Sequence, residues 1–285
     1  GANIQNILYD PFDMGYGMGG YDARSLYQSS SGLILSNENL TPNNDLRHVM
    51  AGATSDDNNP IILLRTDGGD SAYSVPADYS TIKSVVANRD LTASNYNSFT
   101  GYDLFLANAS GDVVVQSFDL NGIADGSFNT LTDVELAQAE IRIGGDLSGD
   151  GVVGAVLQGE LFNPFNTSAS ASSYARYAYQ SNQGLIITRH SFDVAMTPAP
   201  DLRNVGNSSS WEGPDALLLT SDTNERFILE PTEFIVGVNM LRESGTDGPA
   251  MDTFDGFDVY IKDINGGLRI EYFDSEGNNH PDEVF

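Results

Sequence analysis

The chain repeats itself, and this duplication constrains its fold more than any other feature of the sequence. The opening segment Gly1–Phe12 aligns without a gap with Gly154–Phe165. A second gapless match aligns Gly101–Asp119 with Gly256–Asp274. Self-similarity over so long a period indicates two tandem copies of one structural unit. We therefore expect two homologous domains, at residues 1–145 and 155–285, with a linker at 146–154.

Shorter matches lie between these two blocks, interrupted by a small insertion in the second copy. Gly32–Leu35 aligns with Gly184–Ile187, and Leu63–Thr66 aligns with Leu217–Thr220. At 285 residues the chain is long enough for two domains, each with a core of ordinary size. The matches therefore run from the start of each unit to Asp119 in the first and Asp274 in the second.

Short apolar segments, broken by Gly, Asn, Asp and Pro, are typical of β-strands and turns. Residues 108–111 and 263–266 predict hairpin turns, because Asn and Gly tolerate a positive φ. We expect a mainly β fold, in which each unit is a sandwich or a barrel-like domain with short helices. The clearest strands are Leu33–Leu35, Ile61–Leu64, Leu104–Leu106 and Val113–Val115.

Three segments are candidates for short helices. In Leu131–Ala139, Thr132 or Asp133 is suited to cap the first turn. The other two candidates occupy matching places in the two copies, at Tyr79–Ala87 and Thr232–Met240. None of the three is long enough to change the expected fold class.

The segment Asp146–Gly151 has the pattern of the front half of an EF-hand calcium loop. Oxygen-bearing side chains stand at its first, third and fifth positions, and a glycine stands at its sixth. The expected Ca²⁺ ligands are the side chains of Asp146, Ser148 and Asp150 and the carbonyl of Val152. Leu157 stands where an EF-hand has its bidentate Glu, so water or another carboxylate must complete the shell. The alternative is a surface turn without an ion. The carboxylates that we consider for the shell are Glu135, Glu140 and Glu160.

Two further loops carry alternating oxygen ligands with a less regular spacing, and we rank them second as calcium sites. Turns rich in Asp and Asn are common after strands, so an ordinary turn is the competing interpretation. The residues concerned are Asp119, Asn121 and Asp125 in the first copy, and Asp274 and Glu276 in the second.

The charge balance excludes several classes of partner. With 13 basic and 40 acidic residues, the chain has a formal net charge of −27. Such a charge repels nucleic acids and anionic membranes, and it attracts divalent cations. It is also typical of a protein that stays soluble in a salty medium. The sequence has no cysteine and no apolar run of the roughly 20 residues that span a bilayer, so we expect no disulfide and no membrane insertion.

A resemblance to a known family rests on the end of the first copy. Tyr102–Phe105, Ser110-Gly111, Leu131–Glu140 and Asp146–Gly154 resemble repeats that end in a D-L-N-G-D-G-x-I-G loop. Such repeats occur in large secreted surface proteins of cyanobacteria and other bacteria, including the tryptophan-rich C-terminal repeat type. The resemblance implies an exported, extracellular protein that is built of repeats and depends on calcium.

Together these patterns favour a structural protein of a surface layer, filament or adhesive matrix over an enzyme. His48, His190 and His280 do not match one another across the two copies, and no catalytic motif is present. We expect a homo-oligomer or polymer in which the opening strand pairs with an edge strand of a neighbour. The residues of this assembly strand are Ala2, Ile4, Ile7 and Tyr9.

Two alternative functions stay open. A carbohydrate-binding adhesin would hold a glycan in loops around Trp211 or Tyr16–Tyr21, with Tyr96 as a further stacking residue. A secreted hydrolase would need a pair of carboxylates in a cleft, and the abundance of Asp and Glu singles out no such pair.

Overall fold

The computed structural model describes residues 4–9, 24–36, 61–79, 81–89, 99–126, 128–166, 176–202, 215–243 and 253–280. It contains fifteen strands and one α-helix in these ranges. In chain order they are β1 (Ile4–Tyr9), β2 (Ser25–Ser29), β3 (Gly32–Ser36), β4 (Ile61–Leu63), β5 (Thr81–Arg89), β6 (Phe99–Ala107), β7 (Val113–Asp119), β8 (Asn129–Thr130), α1 (Asp133–Ile143), β9 (Leu157–Phe162), β10 (Tyr177–Ser181), β11 (Gly184–Thr188), β12 (Ala216–Leu218), β13 (Glu233–Glu243), β14 (Thr253–Asp263) and β15 (Leu268–Asp274).

The expectation of a mainly β, sandwich-like fold is confirmed. The strands form four antiparallel sheets, with the orders β1-β2-β3-β4, β5-β6-β7-β8, β9-β10-β11-β12 and β13-β14-β15. The predicted strands and both hairpin turns lie where the sequence placed them, with Gly111 and Gly266 each at a φ of 93°.

All the described helices are too short or too polar to cross a membrane.

The chain forms two compact units, and the first contains the described residues up to Thr132 together with Leu147–Gly149. Its core lies between the sheets β1–β4 and β5–β8. Leu26 and Leu35 from the first of these sheets pack in one cluster with Leu104 and Leu106 from the second. These side chains alternate along their strands, as expected for strands that bury one face.

The second unit contains Asp133–Asp146 and the described residues from Asp150 onwards. Leu185 and Ile187 of β11 pack with Val259 and Ile261 of β14, so its core repeats that of the first unit. Helix α1 covers the other face of the sheet β9–β12 through Val134, Ala137 and Ile141. The sequence predicted this helix correctly but placed it in the first repeat, whereas its apolar face packs in the second unit.

In both units the same backbone bridge joins the two sheets. The N–H of Arg65 donates to the carbonyl of Gly122 at 2.8 Å, just beyond the ends of β4 and β7. In the second unit the N–H of Thr220 donates to the carbonyl of Gly277 at 2.8 Å. Both glycines have a positive φ, and a Cβ on either would overlap the backbone of the strand beside it.

Strand pairing shows that one part of the sequence alignment is shifted by a single residue. Ile34 pairs with Leu63 in the first unit, and its equivalent Ile186 pairs with Leu218 in the second. Leu63 therefore matches Leu218, and the predicted match of Leu63 with Leu217 is wrong. The run of three leucines at 217–219 permits two alignments of similar quality, and only strand pairing distinguishes them.

The two other helix predictions are wrong, because 79–87 and 232–240 lie mostly in the strands β5 and β13. Each strand has a β-bulge at the same place, next to Ile82 in one and Ile235 in the other. The bulge adds a residue, so the next inward side chains are Val85 and Val238, three positions later instead of two. This spacing imitates a helical period in the sequence.

Candidate metal centre

The candidate calcium loop begins where helix α1 ends. The N–H groups of Gly144 and Gly145 donate to the carbonyl of Glu140, and Gly144 has a φ of 71°, which closes the helix. Within the loop, Gly149 and Gly151 also have positive φ values, of 83° and 87°. The glycines therefore bend the chain sharply on both sides of Asp150.

Two loop carboxylates fold back onto the backbone that follows them. The Oδ2 atom of Asp146 accepts a hydrogen bond from the N–H of Gly151 at 2.8 Å. The Oδ1 atom of Asp150 accepts one from the N–H of Val152 at 2.8 Å. Both aspartates are exposed, and Ser148 and Val152 are half-buried. Carboxylate oxygens are ligands that a hard cation prefers, so both aspartates are chemically suited to bind one.

Glu140, one of the carboxylates that we considered for the calcium shell, accepts a backbone hydrogen bond. Its side chain is only 4% exposed, and its Oε2 atom accepts a hydrogen bond from the N–H of Gly154 at 2.9 Å. This contact joins the last turns of α1 to the first residue of the second repeat. A buried carboxylate needs such a donor, because an unpaired buried charge is costly.

The other two glutamates proposed for the shell lie on different elements. Glu135 is in the first turn of α1, five residues before Glu140, which places it about 140° away around the helix axis. Glu160 is a residue of β9 opposite Tyr179, and the amide of Asn163 donates to both of its carboxylate oxygens at 3.3 Å. Across the described ranges, no three His, Cys, Asp or Glu side chains converge to hold a metal. A cation at the loop would therefore depend on hydroxyl, carbonyl or water oxygens for part of its shell.

The second-rank calcium residues form matching turns in the two units. Asp119 Oδ1 accepts hydrogen bonds from the N–H groups of Asn121 and Ile123, both at 2.8 Å. Asp274 Oδ1 likewise accepts from Glu276 and Asn278, both at 2.9 Å. These bonds to the second and fourth following residues explain the aspartates without an ion. Asp125 is exposed, and its N–H donates to the carbonyl of Ser117 at 2.9 Å.

The same turn chemistry recurs at the hairpins that end β6 and β14. Asn108 Oδ1 accepts from Ser110 and Asp112, and Asp263 Oδ1 accepts from Asn265 and Gly267. The sequence signal for it is an Asp or Asn at the start of each turn, followed by a glycine. Asp119, Asp263 and Asp274 therefore shape turns.

The expected assembly strand is already paired within its own chain. Strand β1 lies antiparallel to β2, and its copy β9 lies antiparallel to β10 in the same way. Ile4 and Tyr9 are buried, Ile7 is exposed, and Ala2 lies outside the described residues. Strand β1 is nevertheless an edge strand of its sheet, so one side of it faces away from β2.

The residues named for the carbohydrate-binding and hydrolase alternatives do not come together in a site within the described part of the chain. Trp211, His48, Tyr96 and the segment 16–21 lie outside it. His280 Nε2 lies 3.0 Å from Asp274 Oδ2, in the turn described above. His190 Nε2 lies 3.8 Å from Asp215 Oδ1.

Asp274 is the most strongly held carboxylate among these turns. Burial alone would raise its pKa, but hydrogen bonds from His280, Asn278 and Glu276 outweigh burial and hold the pKa below its usual value of 3.8. The ionised form is therefore the one that the fold prefers. This bond network ties the end of the described chain to β15.

An exposed apolar surface on the second unit was not anticipated from the sequence. Phe234, Val236, Leu268 and Ile270 are between 40% and 62% exposed. The signal was present in β15, where Leu268 and Ile270 occupy alternate positions on one face and Arg269 and Glu271 occupy the other. No protein-family model matches the chain, and the comparisons with curated proteins and with solved structures give no match.

Proposed function

We propose that this chain is an extracellular structural protein, a repeat subunit of a surface layer, filament or adhesive matrix that calcium stiffens. The observation that carries the proposal is the loop Asp146–Gly151. Its two aspartates curl onto the backbone at the boundary between two units in which seven strands have the same order and the turns have the same chemistry. A duplicated fold with an oxygen-rich loop at the boundary of its two units is suited to transmitting force along a chain of units rather than to catalysis.

Charge supplies the physical mechanism. At a net charge of −27 the units repel one another, and a divalent cation held by Asp146, Ser148, Asp150 and the carbonyl of Val152 would neutralise part of this repulsion. Binding would also order the loop, because the ligands must adopt one arrangement around the ion. The result is a change from a flexible string of units to a stiffer one.

Thermal melting in calcium and in chelator tests the calcium part of this proposal. A site filled at about 100 times its Kd stabilises the folded state by about 2.7 kcal/mol, so the melting temperature of the wild type should rise in calcium. The double variant Asp146→Asn/Asp150→Asn should lose that rise. Asp222→Asn, which removes a charge from another exposed turn, should keep it. Identical melting of the wild type in both buffers would exclude a calcium role.

Electron microscopy of the purified chain tests the assembly part. Deleting the first nine residues is unsuitable, because Ile4 and Tyr9 are buried and their loss would open the core. Ile7→Lys changes a residue that is 47% exposed on the edge strand β1, and it should prevent assembly through that edge while leaving the monomer folded. Discrete monomers of the wild type at high concentration in calcium would rule out self-assembly.

A further inference from the structure

The outward face of the sheet β13-β14-β15, which we call the outer face, carries several exposed apolar side chains. It comprises Phe234 and Val236 of β13, Tyr260 of β14, and Leu268 and Ile270 of β15. Phe234 is 45% exposed, Val236 40%, Leu268 62% and Ile270 55%. Exposed apolar side chains that gather on one face mark an interaction site.

Strand register places these residues side by side. Tyr260 pairs with Gly237 on one side and Ile270 on the other, and Lys262 pairs with Phe234 and Leu268. The residues between them, such as Ile235, Val259 and Ile261, point the other way into the core. At these positions the sheet therefore carries apolar side chains on both faces, although only those of the inner face belong to the core of the unit. A sheet that is apolar on both faces is normally covered on both.

The first unit contains the same sheet with its outer face covered. Phe105 pairs with Val115 as Tyr260 pairs with Ile270, and Ala107 pairs with Val113 as Lys262 pairs with Leu268. Phe105, Ala107 and Val113 are only 1%, 2% and 3% exposed. The outer face is therefore buried in the first unit, whereas the equivalent face is exposed in the second.

The chain that follows β7 lies against this sheet in the first unit. Strand β8 pairs with Val114 and Val115 along the edge of the sheet, and the N–H of Leu131 donates to the carbonyl of Val113. The chain returns to the same unit at Leu147–Gly149, where Leu147 is 1% exposed and Gly149 lies beside the Nζ atom of Lys83 in β5. In the described part of the second unit, β15 pairs with β14 and makes only a single bridge, at Phe273, on its other side.

We infer that the outer face of β13-β14-β15 is a docking surface for a polypeptide segment with the chemistry of Asn129–Gly149. In such a segment the edge strand and the loop that buries a leucine would lie on the sheet. The acidic helix would only connect them, because the apolar face of α1 packs on the sheet β9–β12 of the second unit. The inference rests on the proposed function in one respect: the segment would come from the neighbouring unit of an array.

The test is to extend the chain in phase with its own repeat. Because the offset between the copies is 155 residues in this region, a second copy of Leu131–Gly154 fused after Phe285 continues the pattern directly. Hydrogen exchange of the β15 amides at 268–272 should slow at least tenfold in the extended chain, because tethering gives the segment a high effective concentration. All exchange is measured in chelator, so that failure of docking and failure of calcium binding are distinguishable.

Two variants serve as matched controls for the extended chain. Replacing the leucine of the fused copy that corresponds to Leu147 with Asp should abolish the added protection. Ile270→Lys in the extended chain should abolish it too, while the unextended Ile270→Lys protein stays folded, because Ile270 is 55% exposed.

Unchanged exchange in the extended chain would overturn the inference. So would concentration-dependent dimers of the unextended chain that protect residues 268–272, since the face would then belong to a second copy.

Discussion

The Oε2 atom of Glu140 and the backbone N–H of Gly154 are joined by a hydrogen bond of 2.9 Å in a buried setting. Gly154 is the residue that matches Gly1, so the bond connects helix α1 to the start of the second repeat. A Cβ on Gly154 would overlap the side chain of Ile141, and Gly154 has a φ of 68°. The close approach of helix and chain therefore needs glycine here.

Glu140→Ala should lower the free energy of unfolding of the second unit by about 2 kcal/mol, because it leaves a buried N–H without an acceptor. Glu140→Gln should cost less, since the amide oxygen still accepts. Gln138→Ala on the same helix is the matched control and should change stability by less than about 0.5 kcal/mol. Urea unfolding measures all three. Equal stability of Glu140→Ala and the control would show that the bond contributes nothing.

Gly277→Ala should be much more destabilising than Gly266→Ala, although the two residues have nearly the same φ, 90° and 93°. A Cβ at Gly266 meets open space, whereas a Cβ at Gly277 would overlap the carbonyl of Leu218. The left-handed conformation costs about 1 kcal/mol in both variants, and the overlap adds about 1 to 3 kcal/mol in Gly277→Ala alone. Thermal melting of the pair isolates the overlap, and equal melting temperatures would contradict the bridge between β12 and the turn after β15.

The carboxylate of Asp274 should make the fold sensitive to acid. Its pKa is lower in the folded chain than the ordinary value of 3.8, so the folded state binds the proton less tightly than the unfolded state. The stabilisation is therefore fully present above pH 3.8 and is lost as the pH falls through the lower, folded-state pKa. Asp274→Asn should melt lower than the wild type at neutral pH, and the difference should shrink in acid. A difference independent of pH would refute this.

Asp258 should behave in the opposite sense. It is half-buried on the outer face, and burial raises its pKa above 3.8. The folded state therefore binds the proton more tightly, so the favourable contribution is present below pH 3.8 and is lost as the pH rises through the folded-state pKa. Asp258→Asn should raise the melting temperature at pH 7 and give no gain at low pH. Calorimetry at the two pH values checks this, and a gain of equal size at both would contradict it.

The duplication could be recognised from the sequence because it depends on residues that keep their place in both copies. The gapless match of Gly101–Asp119 with Gly256–Asp274 corresponds to the same strand pairing in β6-β7 and β14-β15. Alternation and turn residues were sufficient for most strands and for helix α1, since these signals are local. The β-bulges in β5 and β13 made these strands resemble helices in the sequence, because a bulge changes the period of the inward residues.

The candidate site was only partly predictable. The spacing of Asp146, Ser148 and Asp150 identifies a loop, and binding of calcium by that loop stays a prediction. The hydrogen bond from Gly154 to Glu140 could not be read from the sequence, because a buried acceptor and a metal ligand are the same residue type. Only packing, which leaves Glu140 4% exposed next to the N–H of Gly154, distinguishes them.

The sequence by itself determined the mainly β class, the two copies, and the turns at Asn108, Asp119, Asp263 and Asp274, because each follows from local backbone preferences repeated along the chain. The tertiary structure decided the unit to which α1 belongs, the register of β4 and β12, and the contrast between a buried Val113 and an exposed Leu268. These features depend on which surfaces meet after folding. Two equivalent apolar residues have the same sequence pattern whether or not another segment covers them.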